Sequence, residues 1–254
     1  MKKIFAPIMA VCTMISPAYA FEPKANVDSA SSKADQPFNI LGATSGMTFD
    51  EVKEAVAEHK FGLYLEEGTY GIRSGSKSVS FEMPMSFDTR LYDNPSMYRN
   101  LPEYDRLRGE LSSPAAGSVV TFIERSFRIP IEKAPPWDSV MAKLVSAYGE
   151  PSYSDHIGNY WIFDSTGALV EGKPDVFDGG CIAPSVSFEF MSTSDLDKNF
   201  CSAIYFATGK NNSYGLTARF HYQDIKLKIA DATSMSEQME AEINAETKET
   251  DLDL

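Results

Sequence analysis

Alternating apolar and polar residues recur along much of the chain, and this period of two is typical of β-strands that bury one face. The segments that show it are residues 76–87, 118–130, 159–163, 186–190, 203–207 and 215–230. In the last segment the alternation changes phase at Gln223 and Asp224, which predicts a bulge or a bend in that strand. Such runs of strand indicate an α+β protein built on antiparallel sheet.

Two amphipathic helices interrupt the strand pattern. Thr48 and Glu51 have the spacing of a capping box, which predicts a helix from residue 49 to residue 60 that ends near Gly62. The second predicted helix covers residues 137–148 and ends before Gly149. Three apolar positions recur between the helices with an offset of 88 residues: Phe49, Val52 and Val56 correspond to Trp137, Val140 and Leu144.

This recurrence of a helix followed by strands predicts two tandem α+β modules, each a helix packed on an antiparallel sheet. The predicted divisions are a signal peptide at 1–20, a flexible leader at 21–37, a first module at 38–87, an Arg/Tyr-rich linker at 88–116, a second module at 117–230 and an acidic tail at 231–254. In the tail, Met235, Met239 and Ile243 have the spacing of a weak helical stripe, and disorder is expected after Ala245.

The first twenty residues have the three parts of a secretory signal peptide. Lys2 and Lys3 form a positive start, residues 4–15 form an apolar core, and Ala18-Tyr19-Ala20 forms a cleavage site. The core is shorter than the ~20 apolar residues that a membrane-spanning helix needs. We therefore expect export, cleavage near Ala20, and a mature protein in the periplasm or outside the cell without a stable membrane span.

Removal of the signal peptide leaves two cysteines, Cys181 and Cys201. An even number of cysteines in an oxidising compartment predicts a disulfide. A disulfide that closes the loop between Cys181 and Cys201 would stabilise the fold by ~3 kcal/mol in the chain-entropy description. The spacing is not that of a metal site, and a pair of catalytic or regulatory thiols is the alternative.

The charge balance argues against nucleic acid as a partner. The chain has 23 basic and 36 acidic residues, for a net charge of −13, whereas nucleic-acid-binding proteins present basic surfaces.

The residues that carry catalysis are sparse. The three histidines, His59, His156 and His221, lie 97 and 65 residues apart and have no metal-ligand spacing. Ser152, Asp155 and His156 are close in sequence, but adjacency along one turn does not form a catalytic triad. The sequence also has neither a G-x-S-x-G elbow nor a phosphate-binding loop. We therefore expect a protein without catalytic activity, metal or cofactor.

The segment at 88–116 is the candidate partner-binding region. Arginine and tyrosine dominate the energetics of protein interfaces, and the segment is rich in both. The candidate contact residues are Tyr98, Arg99, Tyr104, Arg106 and Arg108. Acidic residues in the same segment nearly cancel the positive charge, so a solvated helix and loop packed over the sheet is the alternative.

Two short strings carry a resemblance to known families. Ile40-Leu41-Gly42, followed by residues 46–52 with Gly46-Met47-Thr48 at their start, resembles the opening of small exported bacterial modules. The SmpA/OmlA outer-membrane assembly lipoproteins and the β-lactamase-inhibitor-protein-like fold are examples. Residues 148–152 and 160–164, together with the two late cysteines, resemble uncharacterised exported proteobacterial proteins. The resemblance implies a helix packed on an antiparallel sheet and action through protein contact, although the chain lacks a convincing lipid-attachment cysteine.

The function predicted from these features is that of a periplasmic, non-enzymatic module that binds another envelope or extracellular protein, in envelope assembly or as an inhibitor. The alternative is a periplasmic protein that binds a small molecule or a carbohydrate in a cleft between the modules. A hydrolase ranks last. A pocket with several convergent polar groups would favour the ligand-binding alternative.

Overall fold

The alternating segments of the sequence pair edge to edge in one antiparallel sheet. The computed structural model describes residues 21–29, 38–74, 77–89, 101–172 and 201–250. The strands are β1 (Leu63–Ser74), β2 (Lys77–Thr89), β3 (Tyr104–Leu111), β4 (Val120–Pro130), β5 (Tyr153–Ser154), β6 (Asn159–Asp164), β7 (Cys201–Asn212) and β8 (Gly215–Asp224). Their order across the sheet is β1-β2-β3-β4-β8-β7-β6-β5.

Three α-helices accompany the sheet in the described part of the chain. They are α1 (Phe49–Ala55), α2 (Trp137–Tyr148) and α3 (Ile225–Thr250). Short 3₁₀ turns follow α1 at Ala57–His59 and precede β4 at Pro114–Ala116. Among the residues that the structure describes, none of the helices combines the length and the apolar character needed to cross a membrane.

The prediction of two tandem helix-on-sheet modules is wrong, because the sheet is continuous. Strand β4 pairs with β8 from Phe122 to Pro130, which joins the two halves of the chain in one sheet-dominated domain. Strand β3 lies inside the segment predicted as a linker and pairs with β2 and β4. Its many charged residues are typical of a solvated connection. In the structure, carboxylates on the neighbouring strands neutralise the charges of Arg106 and Arg108.

Helix α1 begins where its capping box predicts. The backbone N–H of Thr48 donates to Oε2 of Glu51 at 2.8 Å, and Thr48 Oγ1 accepts from the Glu51 backbone N–H at 3.3 Å. The helix ends at Ala55 instead of continuing to Lys60, because the chain tightens into the 3₁₀ turn. Lys60 then adopts a left-handed conformation with a φ of 56°, which terminates the turn before Gly62.

Helix α2 confirms the predicted bounds, Trp137–Tyr148 followed by Gly149. The Gly149 N–H donates to the Val145 carbonyl at 2.9 Å, and its φ of 82° suits glycine. Trp137 lies on β7 at Gly209, where an added Cβ would be 2.3 Å from the indole ring. Glycine at this position therefore allows α2 to approach the sheet closely.

The phase change near the end of the predicted last strand marks a change from strand to helix, not the predicted bulge or bend within a strand. Strand β8 ends at Asp224, and Asp224 Oδ1 accepts from the Leu227 backbone N–H at 2.8 Å. This is how an aspartate caps a helix start. Ile225 and Leu227 therefore belong to α3, and the helix extends to Thr250 whereas the sequence predicts disorder after Ala245.

The helices cover opposite faces of the sheet. Helices α1 and α2 pack on one face over buried side chains that include Phe87, Ile123 and Trp161. Helix α3 crosses the other face, which we call the α3 face. The predicted stripe of α3 packs there against the apolar side chains of β2, in a cluster that contains Met235, Met239, Ile243, Val79, Phe81 and Met83.

Residues 21–29, which belong to the predicted leader, run along α3. The backbone N–H groups of Asn26 and Val27 donate to the Ala115 carbonyl at 2.9 and 3.0 Å, and Phe21 packs edge-on against Phe81. Residues 1–20, the predicted strand at 186–190 and Cys181 lie outside the described residues. Cys201 is buried at the start of β7, and its pairing with Cys181 stays a prediction.

Candidate functional site

Three of the predicted contact residues lie together on the α3 face. Tyr104, Arg106 and Arg108 occupy alternate positions of β3 and therefore project to the same side. Glu110, next in this alternation, forms an ion pair with Lys228 of α3, which identifies the side as the α3 face. The other two predicted residues, Tyr98 and Arg99, lie outside the described residues.

The strand register adds further side chains to this surface. Residues that lie directly opposite each other on neighbouring strands share a face. In β4, Arg128 lies opposite Tyr104, Ser126 opposite Arg106 and Glu124 opposite Arg108. In β8, Thr217 lies opposite Arg128, Arg219 opposite Ser126 and His221 opposite Glu124. We call the arginine face the surface formed by Asp88, Tyr104, Arg106, Arg108, Glu124, Ser126, Arg128, Thr217 and Arg219.

Sequence reasoning missed Arg128 and Arg219. Both lie in segments recognised as strands, at polar positions of the alternation. The alternation alone predicts that both side chains point away from the apolar face of the sheet. It does not predict that they lie close to Arg106, which depends on how the strands pair. The pairing of β3 with β4 and of β4 with β8 brings them together.

Two arginines of the face are held by carboxylates. Arg106 donates through Nε to Asp88 Oδ1 at 2.8 Å and through Nη2 to Asp88 Oδ2. Arg108 donates through Nε and Nη2 to Glu124 at 3.0 and 3.2 Å. Two parallel donors fix the plane of a guanidinium as well as its position. Both side chains are therefore oriented before any partner arrives.

Arg128 donates hydrogen bonds to groups on two neighbouring segments of the chain. Its Nη1 donates to the Leu101 carbonyl at 2.6 Å, its Nε donates to Thr217 Oγ1 at 3.2 Å, and its guanidinium lies 5.7 Å from the Tyr104 ring centre. Burial raises the pKa of the Tyr104 hydroxyl, and the adjacent Arg128 acts in the opposite direction. Tyr104 is therefore a neutral hydrogen-bonding group next to a cation.

Arg219 is the exposed arginine of the face. Its guanidinium lies 5.3 Å from the centre of the Phe206 ring and forms a cation–π contact with it. The four arginines of the face oppose two carboxylates, Asp88 and Glu124. Within the part of the chain that the structure describes, the arginine face is therefore a local positive patch in a chain with a net charge of −13.

His221 lies buried under one edge of the arginine face. Its ring is stacked on Phe206 at 4.7 Å and lies 5.6 Å from Phe122. Neither ring nitrogen has a hydrogen-bond partner among the described residues. Burial, together with the charges of Arg219, Arg108 and Lys228, lowers the pKa of His221 to about 3. His221 is therefore a neutral packing residue at physiological pH.

The remaining sequence candidates occupy structural positions. Ser152 Oγ accepts from the Ile162 backbone N–H at 2.9 Å, and Asp155 accepts from backbone N–H groups within its own turn. Trp161 is fully buried and donates to the Gly149 carbonyl at 2.9 Å. Across the described segments, no group of three or more His, Cys, Asp or Glu side chains is placed to hold a metal ion.

Comparisons of the chain with protein-family models, with curated proteins and with solved structures give no match. The resemblance to the SmpA/OmlA lipoproteins and to the β-lactamase-inhibitor-protein-like fold therefore stays a prediction.

Proposed function

We propose that the protein is a non-enzymatic binding module that docks an acidic surface of another protein on the arginine face. The observation that carries the proposal is the register that places Arg106, Arg128 and Arg219 on adjacent strands of one sheet face. With the predicted signal peptide, the partner is an envelope or extracellular protein, in envelope assembly or as the target of an inhibitor.

Preorganisation supports this role. Ordering a flexible side chain at an interface costs about 0.5–1.5 kcal/mol. In the arginine face, Asp88 and Glu124 already hold Arg106 and Arg108 in place in the folded chain. Binding therefore loses little additional side-chain entropy at these two residues. A guanidinium has five N–H donors, and a two-bond pair with a carboxylate uses two of them. The pair of Arg108 and Glu124 thus leaves donors for a second carboxylate.

Electrostatics support an acidic partner. A local positive patch on a negative molecule orients an approaching acidic surface toward itself and repels it elsewhere. The attraction is screened beyond roughly 8 Å at physiological ionic strength. Association through this face should therefore slow as salt is added.

Charge reversal at Arg219 is the first test. Arg219→Glu changes an exposed side chain outside the ion pairs of Arg106 and Arg108, so the fold should persist. We expect in-cell crosslinking followed by mass spectrometry to recover an acidic envelope protein with the wild type and at least about tenfold less of it with the variant. Binding of that protein, once purified, should weaken as salt is raised.

Lys143→Glu is the matched control. Lys143 is exposed on α2, which covers the opposite face of the sheet, and the substitution changes the net charge equally. Capture that survives Arg219→Glu, or that is lost equally with Lys143→Glu, would contradict docking on the arginine face. Melting temperatures of both variants verify that each is folded.

A further inference from the structure

We infer that a cavity between α3 and the sheet binds a small organic cation, an amine with an apolar body. The cavity has a volume of about 180 Å³ and is lined by residues of α3, β1, β2, β3 and the start of β4. The inference goes beyond the proposed function, since the cavity lies beneath α3 and shares no residue with the arginine face.

The walls of the cavity suit an apolar body. Met83 and Met235 are buried on opposite sides of it, and Met85 and Tyr70 are 41% and 36% exposed at its opening. Methionine side chains adapt to ligands of different shapes. An apolar cavity of about 150 Å³ accepts a molecule the size of benzene. The volume therefore fits a short alkyl chain or a single ring.

A buried carboxylate specifies the charge of the ligand. Asp231 lines the cavity and is 7% exposed. It accepts hydrogen bonds from the Ser113 backbone N–H at 2.8 Å and from Ser113 Oγ at 2.5 Å, and it has no cationic partner among the described residues. Burial raises the pKa of Asp231, against the opposing hydrogen bonds from Ser113 and Ala116, because the ionised carboxylate is costly to bury without a counter-charge. A bound ammonium group would supply that counter-charge.

The nearby charges favour a cation over an anion. Lys228 lines the cavity, but its Nζ forms an ion pair with Glu110 at 2.6 Å. Lys228 and Glu110 offset each other, which leaves the carboxyl group of Asp231 as the group that sets the charge of the lining. Tyr70 and Asp231 both line the cavity, and the negative charge of Asp231 raises the pKa of Tyr70, after the larger effect of burial. A carboxylate ligand would meet like charge there.

Three probes with the same six-carbon chain test the charge requirement: n-hexylamine, 1-hexanol and hexanoate. We expect calorimetric titration of the folded wild-type chain to show binding of the protonated amine at least about tenfold tighter than that of either other probe. The amine should also raise the melting temperature. Equal binding of hexanol would show a cavity for a neutral ligand or an apolar side chain of a partner, and it would overturn the inference, as would a preference for hexanoate or no binding at all.

Two variants distinguish amine binding in the cavity from nonspecific amine binding on the surface of this acidic protein. Asp231→Asn keeps the size of the side chain and an acceptor for Ser113, and it should weaken amine binding at least about tenfold. Ala232→Phe fills the cavity and leaves every charge in place, so it should abolish binding of the amine. Amine binding that persists in both variants would be adventitious surface binding to an acidic protein. Melting temperatures without ligand verify the fold, and amine binding that persists in either folded variant would overturn the inference.

Discussion

Replacing Ala218 with proline should destabilise both halves of the chain together. Ala218 is 2% exposed in β8 and lies opposite Phe127 of β4 and Gly209 of β7. Because β8 has a neighbour on each side, the backbone N–H of Ala218 points at a paired strand in either direction, and proline removes that donor. An unsatisfied buried acceptor and a misplaced ring together cost roughly 3 kcal/mol or more.

Urea unfolding measures the loss of stability, and hydrogen exchange shows how far it extends. We expect a single transition at lower urea, with amide protection reduced in β3 and in β6 to the same extent. Ala218→Gly is the control, since it removes the methyl group but keeps the N–H and should cost much less, about 1 kcal/mol. Continued protection of Tyr104–Leu111 in the proline variant would mean that the first half of the chain folds independently.

The elements that local sequence determines were predicted well. The capping box of Thr48 and Glu51 marks the start of α1, and α2 has the predicted bounds Trp137–Tyr148. A cap and a 3.6-residue period are properties of neighbouring residues, so no knowledge of the rest of the fold is needed. Strands with clear alternation, such as β4, were also recognised.

The errors arose where distant residues decide the structure. Strand β3 reads as a linker until Asp88 and Glu124 are known to neutralise Arg106 and Arg108 from adjacent strands. The pairing of β4 with β8, which overturns the two-module prediction, has no local signature. At the start of α3 the signal was available, because Asp224 is a good N-cap, but Ile225 and its alternating neighbours also fit a strand.

The candidate site divides in the same way. Alternate spacing is enough to place Tyr104, Arg106 and Arg108 on one face once β3 is recognised as a strand. Arg128 and Arg219 join them only through the register of two further strands. The cavity beneath α3 depends on how the helix crosses the sheet, which no periodicity in the sequence describes.

Replacing His221 with phenylalanine should make the protein more resistant to acid. Folded His221 stays neutral down to its pKa of about 3, whereas the same side chain in the unfolded chain takes up a proton below pH ~6.5. The contribution of His221 to the free energy of unfolding is therefore fully present above pH ~6.5 and is lost as the pH falls toward about 3. At about pH 4 this proton uptake lowers the free energy of unfolding of the wild type by roughly 3 kcal/mol. Phenylalanine has no ionisable group, so the variant does not lose this stability.

The measurement is the free energy of unfolding in urea at about pH 7.5 and about pH 4, for the wild type and for His221→Phe. Phenylalanine fits between Phe122 and Phe206 and leaves no buried nitrogen without a partner, so stability near pH 7.5 should be unchanged or higher. Glu124, opposite His221, and the neighbouring cations of Arg108, Arg219 and Lys228 are the same in both proteins, so the difference isolates the histidine. His156→Asn, at an exposed turn, is the control and should leave the acid sensitivity of the wild type in place. An unchanged acid sensitivity in His221→Phe would mean that His221 reaches solvent when protonated, and the stack beneath the arginine face would then open in acid.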